Sequence, residues 1–526
     1  MITTVADTAL AVAAMLLMLT EIKWDMQMMQ QNSYRNDRYM RWLSGSGEWS
    51  SSRRLVDIVM LLLALTPFAV VLGVKIFLMV AMLAKCVVSC RKKYKKPLVW
   101  TRRVLRLYIA ESLLLAVASV AAGLLLGGIF TAGTVLIAAA TFSCVFTLAA
   151  NWLLKPVEKS INDSYIRDAK RILAGMPGMK TVAITGSYGK TSTKHYLNRI
   201  LSEEFSVLMT PGSYNTPMGV VRTVREMLKP YNDLFIVEMG AKQPGDISEI
   251  CQIVHPQVGI VTAVGEQHLE SFKTIENVQR TKFELVDALP ADGLAIVNND
   301  FPHIASRPIG NVEAVRYGIN PSPGTDYHAE DISCSASGTR FAIVGEGRRV
   351  ELETKLIGEC NISNLMAAVI AALRLGVPPQ KVRYAVSKIE QVEHRLSVKR
   401  TPSGITIIDD AFNSNPLGSR MALDALARMT TGKRIVITPG MIELGSKQEY
   451  YNRLLGEHIA ETCDVAIIVG KYNRDAILSG LQSKGGMGKR SVHTVDTFAQ
   501  AQSLMLSLAR PGDAVLYEND LPDSFK

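Results

Sequence analysis

The spacing of apolar and polar residues divides the chain near residue 160. Before that point apolar residues run in long stretches; beyond residue 180 they fall in short runs separated by amphipathic patterns. Residues 2–20 (ITTVADTALAVAAMLLMLT) are long enough to cross the hydrocarbon core of a bilayer, about 30 Å thick, despite Asp7. They lack the basic start and small-residue cleavage site of a signal peptide. The stretch 55–90 is about twice the length of one span, with Pro67 and Gly73 near its middle. Two further stretches, 107–127 and 132–153, are divided by the uncharged GGIFTAG.

Basic loops orient these segments. Residues 91–106 (RKKYKKPLVWTRRVLR) hold eight positive side chains and no acidic one, which places them on the cytoplasmic side. Loop 23–54 carries Lys23, Arg35, Arg38, Arg41, Arg53 and Arg54. With both loops inside, 55–90 folds as a hairpin. The count is then five spans, with the N-terminus outside and everything after about residue 154 inside. A single long helix over 55–90 would instead give four spans and put loop 23–54 outside. Asp57, Lys75 and Glu111 lie within or at the margins of these stretches. They are few and near span ends, so they read as anchors that snorkel to the interface, not as a transport path.

From residue 180 the texture is that of α/β domains. KTVAIT, SVLM, DLFIVEM, QVGIVTAV and GLAIVN predict strands of one mostly parallel sheet, with helices at about 190–203, 217–229, 246–253 and 275–289. Stretch 311–356 reads as short strands forming an antiparallel edge, and helices at about 361–376 and 379–390 close the domain. A second series, GITIIDD, RIVITPG, VAIIVG, SVHTV and AVLYEN, alternates with helices and predicts a smaller doubly wound unit. The expected division is 1–160 transmembrane, 161–393 central and 394–526 C-terminal.

The formal charge of +10 does not point to nucleic acid. Residues 1–160 hold 18 Lys and Arg against 8 Asp and Glu, which is the whole excess. The remainder is neutral and has no basic stripe with interleaved aromatics. The seven cysteines form no metal-ligand spacing and imply no disulfide.

Candidate chemistry begins with ITGSYGKTSTK at 184–194, which follows a predicted strand and opens a predicted helix. Backbone N–H groups and the helix N-terminus favour an anion at Gly186, Ser187 and Gly189. Lys190 can reach terminal phosphates, and the hydroxyls of Thr191 and Ser192 are placed to meet a phosphate or Mg²⁺. The loop is shorter than G-x-x-x-x-G-K-[ST], because Ile184 stands at the first glycine's place. A glycine turn ahead of a surface lysine would look similar. Strand before, helix after and GKTST together favour phosphate.

This loop resembles the ATP loop of the Mur ligases, and further motifs follow in that family's order: NTPMGV (215–220), EMGAKQPGDI (238–247), HPQVGIVTAVGEQHLESF (255–272), GECNISNLMAA (358–368), HRLSV (394–398), DDAFNSNP (409–416) and MIELG (441–445). The resemblance, to the MurF type in particular, covers about 180–520. It implies an ATP-dependent, ADP-forming ligase that joins a peptide carboxylate to an amine through an acyl phosphate. It also implies two Mg²⁺ ions, with Thr191, Glu238, His268 and Lys282 as metal-site residues and Lys282 carbamylated. Lys190, His268 and Lys282 would be catalytic. Asn361 would meet adenine, and Arg395, Asp410 and Asn413 the ribose and phosphates. Read alone, Lys282 could be a helix-surface lysine paired with Glu284, and Glu238 a solvated strand end.

Two departures bear on substrates. The small domain that grips a UDP-sugar precursor is replaced by the apolar segments, and a K-G-S-R-type loop near the C-terminus is replaced by LYENDLPDSF at 516–525. The expected acceptor is therefore a cell-wall peptide, lipid-linked at the membrane, and the amine an amino acid or a D-Ala-D-Ala-like dipeptide. The expected partners are the lipid bilayer and enzymes of wall synthesis, at the bacterial cytoplasmic membrane with the catalytic domains inside. A ligase building a polyglutamate-type polymer, or a non-catalytic scaffold, are the other readings.

Overall fold

The computed structural model describes residues 2–92, 94, 96–126, 128–335, 338–412, 414–428, 432–483 and 491–521. The chain forms two compact units, Met1–Asp163 and Ser164–Asp520. Helices α1 (Ile2–Gln31), α2 (Asn36–Gly45), α3 (Ser52–Ala64), α4 (Leu72–Arg91), α5 (Arg102–Leu126), α6 (Ile129–Thr141) and α7 (Ser143–Ala174) carry the first unit and lead out of it. Among the described residues, three helices (α1, α4 and α5) are long and apolar enough to cross a membrane. The number is four if α6 and α7, bent by 78°, form one broken span. Five spans are not reached. The 55–90 stretch does break, but its first arm α3 has 13 residues, about 20 Å of helix against a core of about 30 Å.

The first unit corrects the snorkelling assignment. Asp57, Lys75 and Glu111 are 0%, 5% and 2% exposed, and each is paired inward. Lys85 bonds Asp57, Lys75 bonds Asp7, and the Thr147 hydroxyl donates to Glu111 at 3.1 Å. At the centre Arg54 donates from Nη2 to both oxygens of Asp25 at 2.8 and 3.0 Å. Its Nη1 donates to the Thr141 carbonyl at 3.1 Å, and the Tyr39 hydroxyl donates to Asp25 at 2.9 Å. Lys85 also lies 3.1 Å from Glu21, which accepts from Arg53. The outward side chains of α5, Leu113, Leu114, Val117, Val120, Leu124 and Leu125, are apolar and exposed. Charged groups therefore pair inside this unit, while apolar side chains face outward.

The second unit holds two sheets. The larger is built from β1 (Lys180–Thr185), β2 (Val207–Met209), β3 (Leu234–Glu238), β4 (Val258–Val261), β5 (Leu294–Asn298), β6 (Glu313–Gly318), β7 (Tyr327–Ser335), β8 (Gly338–Gly345) and β9 (Arg348–Thr354). Their order is β2-β3-β1-β4-β5-β6-β7-β8-β9. Pairing is parallel as far as β7, then antiparallel through β8 and β9. Helices α8 (Lys190–Leu201), α9 (Pro217–Met227), α10 (Asp246–Val254), α11 (Leu269–Phe272), α12 (Ile275–Asp287), α13 (Pro302–Ala305), α14 (Glu359–Arg374) and α15 (Pro379–Ser387) accompany it. Successive apolar residues of the parallel strands alternate between two cores. Val182 and Ile184 face one with α8 and α14; Ala183, Phe235 and Val237 face the other with α9, α10 and α12.

The smaller sheet joins β10 (Ser397–Arg400), β11 (Thr406–Asp410), β12 (Arg434–Thr438), β13 (Val465–Val469), β14 (Ser491–Val495) and β15 (Ala514–Glu518) in the order β10-β11-β15-β12-β13-β14. All its pairs are parallel except β10 with β11. Helices α16 (Pro416–Arg428), α17 (Gln448–Thr462), α18 (Arg474–Ser483) and α19 (Phe498–Leu508) cover its faces. The strand C-termini of both sheets carry the motif residues, as open α/β sheets place their ligands.

Replacing Arg54 with Ala should strand Asp25 as a buried, uncompensated carboxylate. The expected cost is about 3–5 kcal/mol of stability, measured as denaturant-induced unfolding of the full chain in detergent.

Candidate active site

The strand-to-helix turn from β1 to α8 is held by two glycines whose backbone no side chain would fit. A Cβ on Gly186, at φ 150°, would lie 2.1 Å from the Thr262 hydroxyl; on Gly189, at φ 82°, it would lie 2.1 Å from Oδ1 of Asn364 on α14. Ser187 locks the turn from below. Its hydroxyl donates to the Gly265 carbonyl at 3.0 Å and accepts from the Gly265 N–H at 3.1 Å. The loop is therefore shaped before any ligand arrives. Lys190 folds back over it, donating to the carbonyls of Gly186 at 2.6 Å and Ser187 at 3.2 Å. Part of its surface stays open, yet the surrounding protein and the loss of water push its ammonium down to about 8, against the pull of Glu238. The Thr191 hydroxyl has no hydrogen-bond partner among the described residues, and Ser192 is buried.

Glu238 ends β3, paired in register with Ile184 of β1. It is 1% exposed and not a solvated strand end. Lys194, one turn after Lys190 on α8 and fully buried, lies 3.0 Å from Glu238 Oε2 and donates to the Gly212 carbonyl at 2.6 Å. Asn215 donates to Oε1 at 3.0 Å. Burial alone would raise this carboxyl; Lys194 and Lys190 outweigh it and hold it below the usual range. The Thr191 hydroxyl and the anionic Glu238 form a hard-oxygen donor set that suits Mg²⁺.

Lys282 on α12 is 2% exposed. Glu284 does not pair with it; that carboxylate accepts from the backbone N–H of Gly245 at 2.7 Å and of Ser248 at 3.0 Å, fixing the start of α10. Among the described residues the Lys282 side chain has no hydrogen bond or ion pair. Burial, and then repulsion by Lys190, drive its pKa well below the lysine range. A buried, neutral, unpartnered amine is the form that reacts with carbon dioxide, so the residue fits a carbamate.

His268 stands at φ 54° before α11, and its Nδ1 bonds the Glu443 carboxylate from the MIELG segment. The two segments also meet through the Glu270 N–H and the Glu443 carbonyl at 3.2 Å. Burial lowers the imidazole pKa more than Glu443 raises it.

Of the residues expected on the nucleoside side, Arg395 lines a cavity. A cavity of about 760 Å³ opens beside α8, bounded by Thr191, His195, Tyr196, Gly212, Arg395 and Phe412 among others. Arg395 lies 4.3 Å over the Phe412 ring and donates to the Phe412 carbonyl at 3.2 Å. Asn361 is buried at the start of α14, accepting from the Tyr196 hydroxyl at 2.8 Å and donating to the Ile357 carbonyl at 2.9 Å. Its amide is committed to the fold and does not line the cavity. Asp410 ends β11 and accepts from the Leu396 N–H at 3.0 Å. Asn413 lies outside the described residues. Lys190 thus interacts with both Glu238 and Lys282 around the loop, and Arg395 feels both Glu238 and Asp410. Sequence reasoning missed Lys194, Asn215 and Glu443. Asn215 opens NTPMGV and Glu443 stands within MIELG, and the i, i+4 spacing of Lys190 and Lys194 hinted at a shared helix face.

Family models for the Mur ligase middle domain and the Mur ligase glutamate ligase domain match residues 184–372 and 394–517. The chain belongs to the Mur ligase family of ATP-dependent ligases. Within it, the chain is 30% identical over 370 residues to UDP-N-acetylmuramoyl-tripeptide–D-alanyl-D-alanine ligase of Mycobacterium tuberculosis (H37Rv), covering 66% of this chain and 71% of the relative. The Bacillus subtilis (strain 168) enzyme of the same name is 27% identical, covering 65% and 73%. The MurF ligase of Thermotoga maritima, solved in complex with ADP, has the same fold, with a TM-score of 0.61 at 24% identity over 68% of this chain and 80% of that one.

Two outcomes test this geometry. Lys194→Met leaves Glu238 buried without its main cation and should cost about 3–5 kcal/mol in denaturant unfolding. Lys190 binds its proton near pH 8 in the fold, against an ordinary 10.5. The unfolded chain therefore holds more protons between those values, and this group makes stability rise with pH across that window. Phosphate needs the charged form, so MgADP affinity should weaken as pH passes about 8. A fluorescence titration should show that pH dependence in the wild type and its loss in Lys190→Arg.

Proposed function

We propose that this chain is a membrane-anchored ligase that uses ATP to join the carboxylate of a cell-wall peptide precursor to an amine, an amino acid or a D-Ala-D-Ala-like dipeptide. The observation that carries the reading is the cluster around the 186–191 turn: an anionic Glu238, a charged Lys190 and a neutral buried Lys282. A carboxylate is a poor electrophile, so it first takes the γ-phosphoryl group of ATP, releasing ADP and giving an acyl phosphate; the amine then attacks the acyl carbon and displaces inorganic phosphate. Such a transfer needs alignment and neutralised charge more than covalent help. The turn's backbone N–H groups and Lys190 hold the phosphates. Thr191, Glu238 and the carbamate of Lys282 would hold Mg²⁺, with His268 beside them. When bound, the ions supply charge neutralisation at the transferring phosphoryl group. Arg395, entering from the smaller lobe, adds a cation that steadies the oxyanion formed on attack.

The anchor supports a lipid-linked acceptor. Three helices are long and apolar enough to cross a membrane, and they stand where the MurF type has its UDP-precursor domain. The basic segment 91–106 favours placing the catalytic lobes at the cytoplasmic face of the bacterial inner membrane. Anchoring then raises the effective concentration of enzyme around a membrane-bound acceptor.

The full chain, supplied with Mg²⁺, bicarbonate, a muropeptide acceptor (UDP-linked or lipid-linked) and D-Ala-D-Ala or single amino acids, should release ADP only when both acceptor and amine are present. Lys190→Ala serves as the blank. No release above that blank with any pair would reject the ligase reading. Lys282→Ala should lose activity by at least about 100-fold, and a ¹³C-bicarbonate carbamate resonance present in the wild type should be absent from it.

A further inference from the structure

The MIELG segment (441–445) runs from β12 toward α17, and an amide cage holds it rigid. The Asn452 side chain accepts from the Met441 N–H at 2.8 Å and donates to the Met441 carbonyl at 3.0 Å. Asn473 donates to the same carbonyl at 3.0 Å, and Gln448 accepts from the Leu444 N–H at 3.2 Å. Met441 and Leu444 are buried in the core of the smaller lobe. Glu443 leaves that core at φ 62° and meets His268 of the larger lobe, itself at φ 54°. Two residues with a Cβ are thus held in the left-handed region at one point of contact. Such strain persists only where the surrounding structure over-determines it, and it gathers at functional sites. Gly445 lets the two segments come this close: it stands at φ 60°, and a Cβ there would lie 3.2 Å from the Glu270 nitrogen. Around this contact Tyr451 of α17 packs against the cores of both lobes, and Lys447 lies 4.0 Å from Glu266.

We propose that Glu443 is a positioning residue: reaching across from the smaller lobe, it fixes the His268 ring with Nε2 free for a Mg²⁺ ion on the phosphates, so that the metal site is complete only while the two lobes are in contact. The proposal rests on the ligase reading above, in which His268 belongs to the metal site. An ionised carboxylate accepts and does not donate, so the ring proton sits on Nδ1 and Nε2 keeps its lone pair. Among the described residues Nε2 has no hydrogen-bond partner. A histidine that ligates a metal commonly places its other N–H on a carboxylate, and losing that partner costs about 10–100-fold in metal affinity. Glu238 gives a second sign of fit. Its Oε2 is buried beside Lys194 and accepts no hydrogen bond, which leaves a lone pair that suits a hard cation. Thr191, Glu238, His268 and Lys282 all belong to the larger lobe, whereas Glu443 comes from the smaller one. Lobe contact and metal binding therefore strengthen each other by the same factor.

The test uses the full chain in detergent, labelled with ¹⁵N-histidine, and Mn²⁺ with β,γ-methylene-ATP as the probe. Electron-spin-echo modulation should show a ¹⁵N coupling to Mn²⁺ in the wild type that is absent from His268→Ala. Glu443→Ala should lose that coupling and bind Mn²⁺ at least about tenfold more weakly. Glu443→Gln keeps an acceptor for the Nδ1 proton and should recover most of both. Unaltered affinity for the analogue without metal reports an intact fold in each variant. Gly445→Ala leaves both side chains in place but presses the segment away from Glu270, and should weaken Mn²⁺ binding at least about fivefold. Coupling and Mn²⁺ affinity unchanged in Glu443→Ala overturn the positioning role; wild-type affinity in Gly445→Ala overturns its dependence on the lobes. A wild type that lacks the coupling yet releases ADP with an acceptor and an amine sinks the inference and leaves the ligase. The coupling without ADP release on any pair sinks the ligase and leaves the positioned histidine.

Discussion

One buried carboxylate sets the electrostatics of the nucleotide site. Glu238 sits at the end of β3 with Lys194 at 3.0 Å and Lys190 close enough to lower its pKa, while Lys282 is further discharged by Lys190. Three lysines and one carboxylate cannot all be charged in a small buried volume at low cost. The fold resolves the conflict by rank. Lys194 stays with Glu238, Lys190 is left near its titration point, and Lys282 is neutral. That ranking leaves a cation beside the phosphate turn and an uncharged amine on α12. The β1–β3 register that sets Glu238 beside Ile184 is what holds these charges in place.

Much of the larger lobe was legible. Period-two apolar runs marked β1 to β5, and the turn residues of GSYGKT marked the phosphate loop, because both signals are local. Contacts between distant segments were not. That Glu284 caps α10 and leaves Lys282 alone depends on a helix 36 residues earlier in the chain. The bond between His268 and Glu443 joins positions 175 residues apart. Asn361 shows the converse. Its motif suggested a nucleotide contact, and the structure adds that the Tyr196 hydroxyl bonds its oxygen, a contact that no pattern along one strand or helix shows.

The same limit governed the helical N-terminal unit. Hydropathy located the apolar stretches and the break in 55–90, but a span is decided by helix length, and α3 is short. Charges near the ends of apolar stretches look like anchors in one dimension. In the bundle Asp57, Lys75 and Glu111 each meet a partner from another helix. A buried pair adds little net stability, but it specifies which helix faces which, since every wrong packing leaves a charge uncompensated.

The link between the lobes shows how backbone strain is placed. His394 and Leu396, on either side of Arg395, adopt φ of 59° and 52°. For residues with a Cβ this region costs about 1–3 kcal/mol each. β11 offsets the cost: Asp409 bonds the His394 ring at 2.8 Å, and Asp410 accepts from the Leu396 N–H. Two consecutive aspartates at one strand end thus fix two left-handed residues, and the residue between them lines the cavity beside α8. Arg395 reaches that wall because its neighbours are strained. Asp410 thus holds the linker and also interacts with Arg395, the residue that its own hydrogen bond helps to place.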